Sequence, residues 1–284
     1  MSIHHVLLDA KNFFSLARQY LSLCFSSSEN LQVMTHLPPM EKYLFDRYTY
    51  ESISDLDLKP RPLRANPIVS RTKLRHWSLS PSILAQLIDQ CHFHHIRLNS
   101  ILSTICAAAY YLACDYGKEK TLKIHMMVNI RPQLNLDFEQ IGMFATVFDC
   151  FIPINQQTIS SLWSTAAQQH EDLHHRIRTK EYIINCKNDT DLLKMINNNE
   201  TFSCDDVQFA FSNLGALPNT MNNQIEEHYF SVSLIEQRWT SSIFVGVSTI
   251  RNHLCLTFGY NENQIERNFI ENWIDKIDYI FKQV

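Results

Sequence analysis

Glycine is scarce in this chain, at 5 of 284 residues. Loops that wrap phosphate groups need glycine for close backbone approach and left-handed turns. Neither GxGxxG nor GxxxxGK[ST] occurs, so a nucleotide-cofactor enzyme is not expected. The 8 cysteines include no CxxC pair, and apolar neighbours mark Cys106 and Cys255 as buried thiols. No GxSxG elbow is present, and no cysteine has the flanks of a thiol nucleophile. Charge of one sign is also missing: 29 acidic against 25 basic residues give a formal −4, which offers no field for nucleic acid or anionic membranes. No apolar run approaches the roughly 18 residues of a membrane span. The opening MSIHHVLLDAKNFF lacks the basic-then-apolar order of a signal peptide. Together these absences predict a reducing, cytoplasmic setting, where the sequons at Asn188 and Asn199 carry little weight.

What is present is globular: 45% hydrophobic and 11% aromatic residues, enough for one large core or two smaller ones. Residues 11–24 recur at helical spacing through Phe13, Phe14, Ala17, Tyr20, Leu21 and Cys24, with Asp9 where an N-cap would stand. Residues 52–70 are polar and carry three prolines, as a linker or crossing segment does. From Arg71 the pattern alternates. A strand is expected at 72–79, then a helix from Ser80-Pro81 to about His94 and a buried helix from Asn99 to Tyr116. Strands follow at 121–129 and 143–154, and helices at about 159–180 and 189–198. Four more strands are expected at 206–212, 228–236, 242–250 and 253–260, then a helix at 262–281 with Ile265, Phe269, Trp273 and Ile277 on one stripe.

The strongest local signal for chemistry is His4-His5-Val6-Leu7-Leu8-Asp9. An imidazole titrates near neutrality, so its neutral form takes a proton from a hydroxyl as the oxygen attacks. An aspartate four residues on can fix the turn through backbone bonds or an arginine. Taken alone, three fixed positions in six arise easily by chance, and a histidine pair beside an ordinary N-cap fits as well.

The pattern does not stand alone. HHxxxD is followed by Arg131-Pro132, then Gly142-Met143-Phe144, then Ser212-Asn213-Leu214-Gly215. This ordered set, with the segment 74–109 between, resembles the chloramphenicol-acetyltransferase-like superfamily: alcohol O-acetyltransferases, polyketide-associated acyltransferases and condensation domains. The resemblance spans nearly the whole chain. It implies an α/β sandwich with mixed sheets flanked by helices in two lobes, with a solvent channel between them. It divides the chain into residues 1–70, a remnant of the first lobe carrying the HHxxxD motif, and 71–284, the second lobe. It implies that His5 is the general base in direct attack of an alcohol on an acyl thioester, and that Asp9 is structural and paired with Arg131. His4, Ser212, Asn213 and Gly215 become channel or oxyanion candidates. No permanently bound cofactor or metal is implied; the donor is acyl-CoA or an acyl-carrier thioester, and the acceptor a small-molecule alcohol.

Two departures stand out. Ala10 replaces the family's usual glycine, and the motif begins three residues after Met1, where family members carry the opening strands and helix of the first lobe. The expectation is therefore a truncated first lobe. Two further readings accompany O-acyl transfer: an amide-forming condensation-type domain, and a catalytically impaired fragment that acts as a binding protein and self-associates through exposed strand edges.

Other patterns read more plainly. His170-Glu171-Asp172-Leu173-His174 fits HExxH, but its polar surroundings favour a solvated helix face over zinc. His92, His94 and His95 fall at a helix C-terminus, where imidazoles complement the dipole. Trp163 and Trp273 read as core.

Overall fold

Residues 71–137, 144–185, 207–217, 227–232 and 241–283 are described by the computed structural model. Within them, period-two burial builds strands and 3.6-residue apolar stripes build helices, in the expected order save for an added short helix at 131–134 and a missing strand at 227–232. Strand β1 (Thr72–Leu79) leads into helix α1 (Pro81–Phe93), whose proline sits in the first turn, where no backbone donor is lost. Helix α2 (Leu98–Ala113) follows. Then come β2 (Lys120–Asn129), a four-residue helix α3 (Arg131–Leu134) and β3 (Ala145–Ile154). Helix α4 (Leu162–Arg178) precedes β4 (Phe209–Ala216), β5 (Ile243–Ile250), β6 (His253–Asn261) and helix α5 (Arg267–Phe281).

The six strands form one mixed sheet in the order β1-β6-β5-β4-β2-β3. The central trio β2, β4 and β5 runs parallel, and the outer strands are antiparallel to their neighbours. The helices cover one face. Helix α2 is buried along nearly its whole length, and its run Ala107-Ala108-Ala109 keeps it slim enough to fit among the sheet, α4 and α5. Trp273 of α5 is fully buried among Tyr110, Phe209 and Phe258, and its indole N–H donates to the Cys106 carbonyl at 2.9 Å. Burial pushes the Cys106 thiol far up and the Cys91 thiol to about 11, in keeping with structural cysteines.

Several boundaries differ from expectation. Helix α2 stops at Ala113 rather than Tyr116, because Asp115 and Gly117 both take positive φ. Strand β4 begins and ends some residues later than the expected 206–212, following the signature into its C-terminal end. Helix α5 starts at Arg267, after a turn at 262–266. The expected strand at 228–236 is not one where described: residues 227–232 cross the sheet's second face outside the ladder. The helix at 189–198 and the elements of residues 1–70 lie outside the described residues.

That crossing segment explains two of the five glycines. A Cβ on Gly246 would strike the Phe230 carbonyl oxygen, and one on Gly259 would strike the Ser231 hydroxyl. The strap is further held by Phe230 edge-on to Phe244 at 5.8 Å and by Tyr229 against His76 at 4.3 Å. The Ser248 hydroxyl donates to the His228 carbonyl at 2.6 Å.

Helix α4 is less solvated than its composition suggests. Gln169 is 9% exposed and accepts from Ser103 at 3.0 Å and Thr104 at 2.9 Å, joining α4 to α2. At the outer strand β3, side chains reach carbonyls on the side away from β2: Asn185 donates to Val147 and Arg176 to Asp149, at 2.9 and 2.7 Å. Such capping blunts an edge against pairing with another chain.

Candidate functional site

At the C-terminal ends of parallel strands, backbone carbonyls and short turns leave a crevice where ligands commonly bind in α/β sheets. The ends of β2 and β4 lie side by side there, with Met127 opposite Ser212. Arg131 follows directly on β2, and Ser212, Asn213 and Gly215 lie in the last part of β4. The fold therefore brings four of the expected site residues to one end of the sheet. His4, His5 and Asp9 lie outside the described residues.

Arg131 is 2% exposed, unusual for a guanidinium. The Asn129 Oδ1 accepts from the Arg131 backbone N–H at 3.2 Å and from its guanidinium NH1 at 3.3 Å. The guanidinium carbon lies 4.8 Å from the centre of the Phe144 ring, a cation–π stack. Phe144 is fully buried, and its carbonyl accepts from the Ile130 N–H at 2.9 Å. The arginine of the RP pair and the phenylalanine closing GxF thus meet in space. Helix α3 turns the chain away at once: Asn135 takes a left-handed φ of 54°, which asparagine tolerates, and the Leu136 N–H donates to the Arg131 carbonyl.

Within Ser212–Gly215 the neighbours part. Phe209 and Phe211 face the helix layer, whereas Ala210 packs with Phe244 beneath the strap. Period two then sends Ser212 to the strap face and Asn213 to the helix face. The Asn213 Oδ1 accepts from the Gly215 N–H at 2.8 Å, Gly215 adopts φ 73°, and the β4–β5 register breaks between Asn213 and Ala216. The Gly215 amide is therefore already engaged, and Asn213 keeps its amide nitrogen as a donor.

Three arrangements escaped sequence reasoning. Asn129 stands two residues before the arginine of the RP pair, and an asparagine in that position is a recognisable side-chain turn signal. The His125–Asp149–Lys123 cluster joins adjacent strands: Asp149 lies 3.1 Å from both His125 Nε2 and Lys123 Nζ. Hydrogen bonding from His125, aided by Lys123, holds the Asp149 carboxyl down at about 2. No local spacing reveals that cluster. The HExxH histidines are partly buried: His170 Nδ1 lies 3.3 Å from the Ser100 hydroxyl, and the two rings are 4.2 Å apart. Burial lowers the pKa of both rings, helped by Arg97. Glu171, the position that would serve as base in such a motif, is bonded to Arg178 at 2.8 Å. Among the described residues no group of three or more His, Cys, Asp or Glu is placed to hold a metal ion. No single described helix is long and apolar enough to cross a membrane.

No family model matches the sequence, and no curated protein does either. Solved structures do match the fold. The chain is similar to the epimerization domain from the third module of tyrocidine synthetase B, with 15% identity over 99% of this chain and 67% of that one, at a TM-score of 0.61. It is similar to polyketide synthase associated protein 5 from Mycobacterium tuberculosis, with 9% identity, 99% and 73% coverage and a TM-score of 0.61. It is also similar to a trichothecene 15-O-acetyltransferase from Fusarium sporotrichioides, with 10% identity, 74% and 46% coverage and a TM-score of 0.51. The chain has the chloramphenicol-acetyltransferase-like fold that these structures share. It spans 67% of the first of them and 46% of the acetyltransferase.

Proposed function

We propose that this chain transfers an acyl group from a thioester, either acyl-CoA or an acyl carrier, to an alcohol. Residues 1–70 supply the HHxxxD motif, and residues 71–284 supply the opposite wall of the channel. The His5 imidazole takes the proton of the acceptor hydroxyl, and the oxygen attacks the thioester carbonyl carbon. The C–S bond then breaks, and the departing thiolate recovers the proton from the imidazolium, so no acyl-enzyme forms. Asp9 holds the turn beside His5 through a carboxylate–guanidinium pair with Arg131. His4 and Ser212 line the channel, and the Asn213 amide donates to the oxyanion.

One observation carries this reading. Arg131 is buried, oriented by Asn129 and Phe144, and stands at the strand ends that also bear Ser212 and Asn213. A buried arginine calls for an anionic partner, since desolvating an uncompensated charge is costly by several kcal/mol. The test incubates the purified chain with acetyl-CoA and medium-chain alcohols. Ester should form with wild type and vanish with His5→Ala; equal turnover by both, or by neither, refutes the reading.

A second reading is an amide-forming condensation-type domain, compatible with the fold shared with a structure of condensation domain-mediated chain release from the enacyloxin polyketide synthase, at a TM-score of 0.58. Replacing the alcohol by an amine separates the two: turnover with amines alone selects this reading.

A further inference from the structure

We infer that Asn129 is a positioning residue for Arg131, fixing the direction of its guanidinium fork rather than merely shaping the turn after β2. The consequence for catalysis rests on the acyl-transfer reading; the positioning itself does not. An arginine side chain has four rotatable bonds between backbone and guanidinium, and holding it in one pose requires contacts at more than one point. Here a single oxygen provides two of them. Asn129 Oδ1 accepts from both the base and the head of the same residue, the Arg131 backbone N–H at 3.2 Å and NH1 at 3.3 Å. This ties the guanidinium to the backbone of its own residue. The Phe144 ring, 4.8 Å beneath, fixes the plane, and the Ile130-to-Phe144 backbone bond fixes that ring relative to the end of β2. Oxygen and ring together leave little freedom of tilt or rotation. Near a reacting centre, orientation at this level governs rate more than binding.

The bland alternative is a side-chain turn alone, in which Asn129 does no more than accept the N–H two residues on. Chain length separates the two roles. A serine hydroxyl at 129 still reaches that N–H but is one atom too short for NH1. An aspartate reaches both.

The experiment compares wild type, Asn129→Ser, Asn129→Asp and Arg131→Lys in the full chain. The first readout is the guanidinium N–H region of the 15N-resolved proton spectrum, with Arg131→Lys assigning the signal. Wild type and Asn129→Asp should show a slowly exchanging, resolved Arg131 signal; Asn129→Ser should lose it while its melting temperature stays near wild type. The second readout is turnover. Asn129→Ser should lower kcat by about 10- to 100-fold with KM for the thioester little changed, and Asn129→Asp should recover most of that loss. An Arg131 signal that persists in Asn129→Ser, or serine and aspartate variants of equal kcat, overturns the inference. If wild type gives no turnover above His5→Ala, the acyl-transfer reading has failed, and the guanidinium signal alone decides the positioning role.

Discussion

Replacing Gly246 by alanine tests the seat of the strap. The added Cβ would overlap the Phe230 carbonyl oxygen and lie 3.1 Å from Phe244 Cε1 and 3.2 Å from Phe230 Cε1. The first obstacle is backbone, so no rotamer change relieves it, and either the strap lifts or β5 bends. Lifting removes the Phe230 contacts with Phe244, Leu214 and Leu217, about 1–2 kcal/mol, since full burial of a phenylalanine is worth about 1.5–3 kcal/mol and Phe230 is only partly buried. It also strains the Ser248 bond to the His228 carbonyl, worth about 1 kcal/mol. Partial bending offsets some of this, as overpacked sites usually cost about 1–3 kcal/mol. The expected loss is about 2–3 kcal/mol, read as a lower urea midpoint. Gly215→Ala is the control: its φ of 73° strains alanine, but nothing lies within 4 Å, so the loss should be only about 1 kcal/mol. Phe230→Ala should partly mask the effect, because the aromatic contacts are then already gone and Gly246→Ala adds less. A Gly246→Ala protein within about 0.5 kcal/mol of wild type would refute the reasoning.

Two other substitutions probe buried polarity and charge. Gln169→Leu should leave stability within about 1 kcal/mol, since the Gln169 Nε2 meets no acceptor among the described residues, while Ser103 and Thr104 retain the Asn99 and Ser100 carbonyls as acceptors; a loss above about 2 kcal/mol by thermal melting would contradict it. The Asp149 carboxyl, held at about 2 by His125 and Lys123, binds fewer protons folded than unfolded near pH 3. Its stabilisation is therefore full above the ordinary aspartate value near 4 and fades as pH falls toward 2. Asp149→Asn should flatten that part of the stability profile, and a profile unchanged between pH 5 and 2 would show that the pair contributes nothing, as screened surface pairs sometimes do.

The legibility of this chain was uneven, for reasons visible residue by residue. The Pro81 start of α1, the β2 and β3 alternations and the apolar stripe through Trp273 are local patterns whose period dictates structure. The strap failed as a strand because Tyr229, Phe230 and Val232 have strand-like composition, yet their partners are faces of side chains and two glycines rather than a ladder. Gln169 looked solvated because polar composition cannot say whether hydroxyls wait on a facing helix. At the candidate site, HHxxxD, RP, GxF and SNLG were visible as an ordered set, but the use of each residue was not. Gly215 looked like an oxyanion donor until its N–H proved to be engaged by Asn213.

The sequence by itself determined most of the described elements from residue 71, apart from the strap at 227–232 and the short α3, together with the mixed α/β class and the motif set, because period, caps and glycine or proline punctuation act over a few residues. Only the tertiary structure decided that Arg131 stacks on Phe144, which face of the sheet Ser212 and Asn213 each take, and that His125 meets Asp149. Those contacts join residues 13 to 24 positions apart or depend on the bulge and register of β4, and neither strand register nor the closing of a loop is written in the spacing of any one segment.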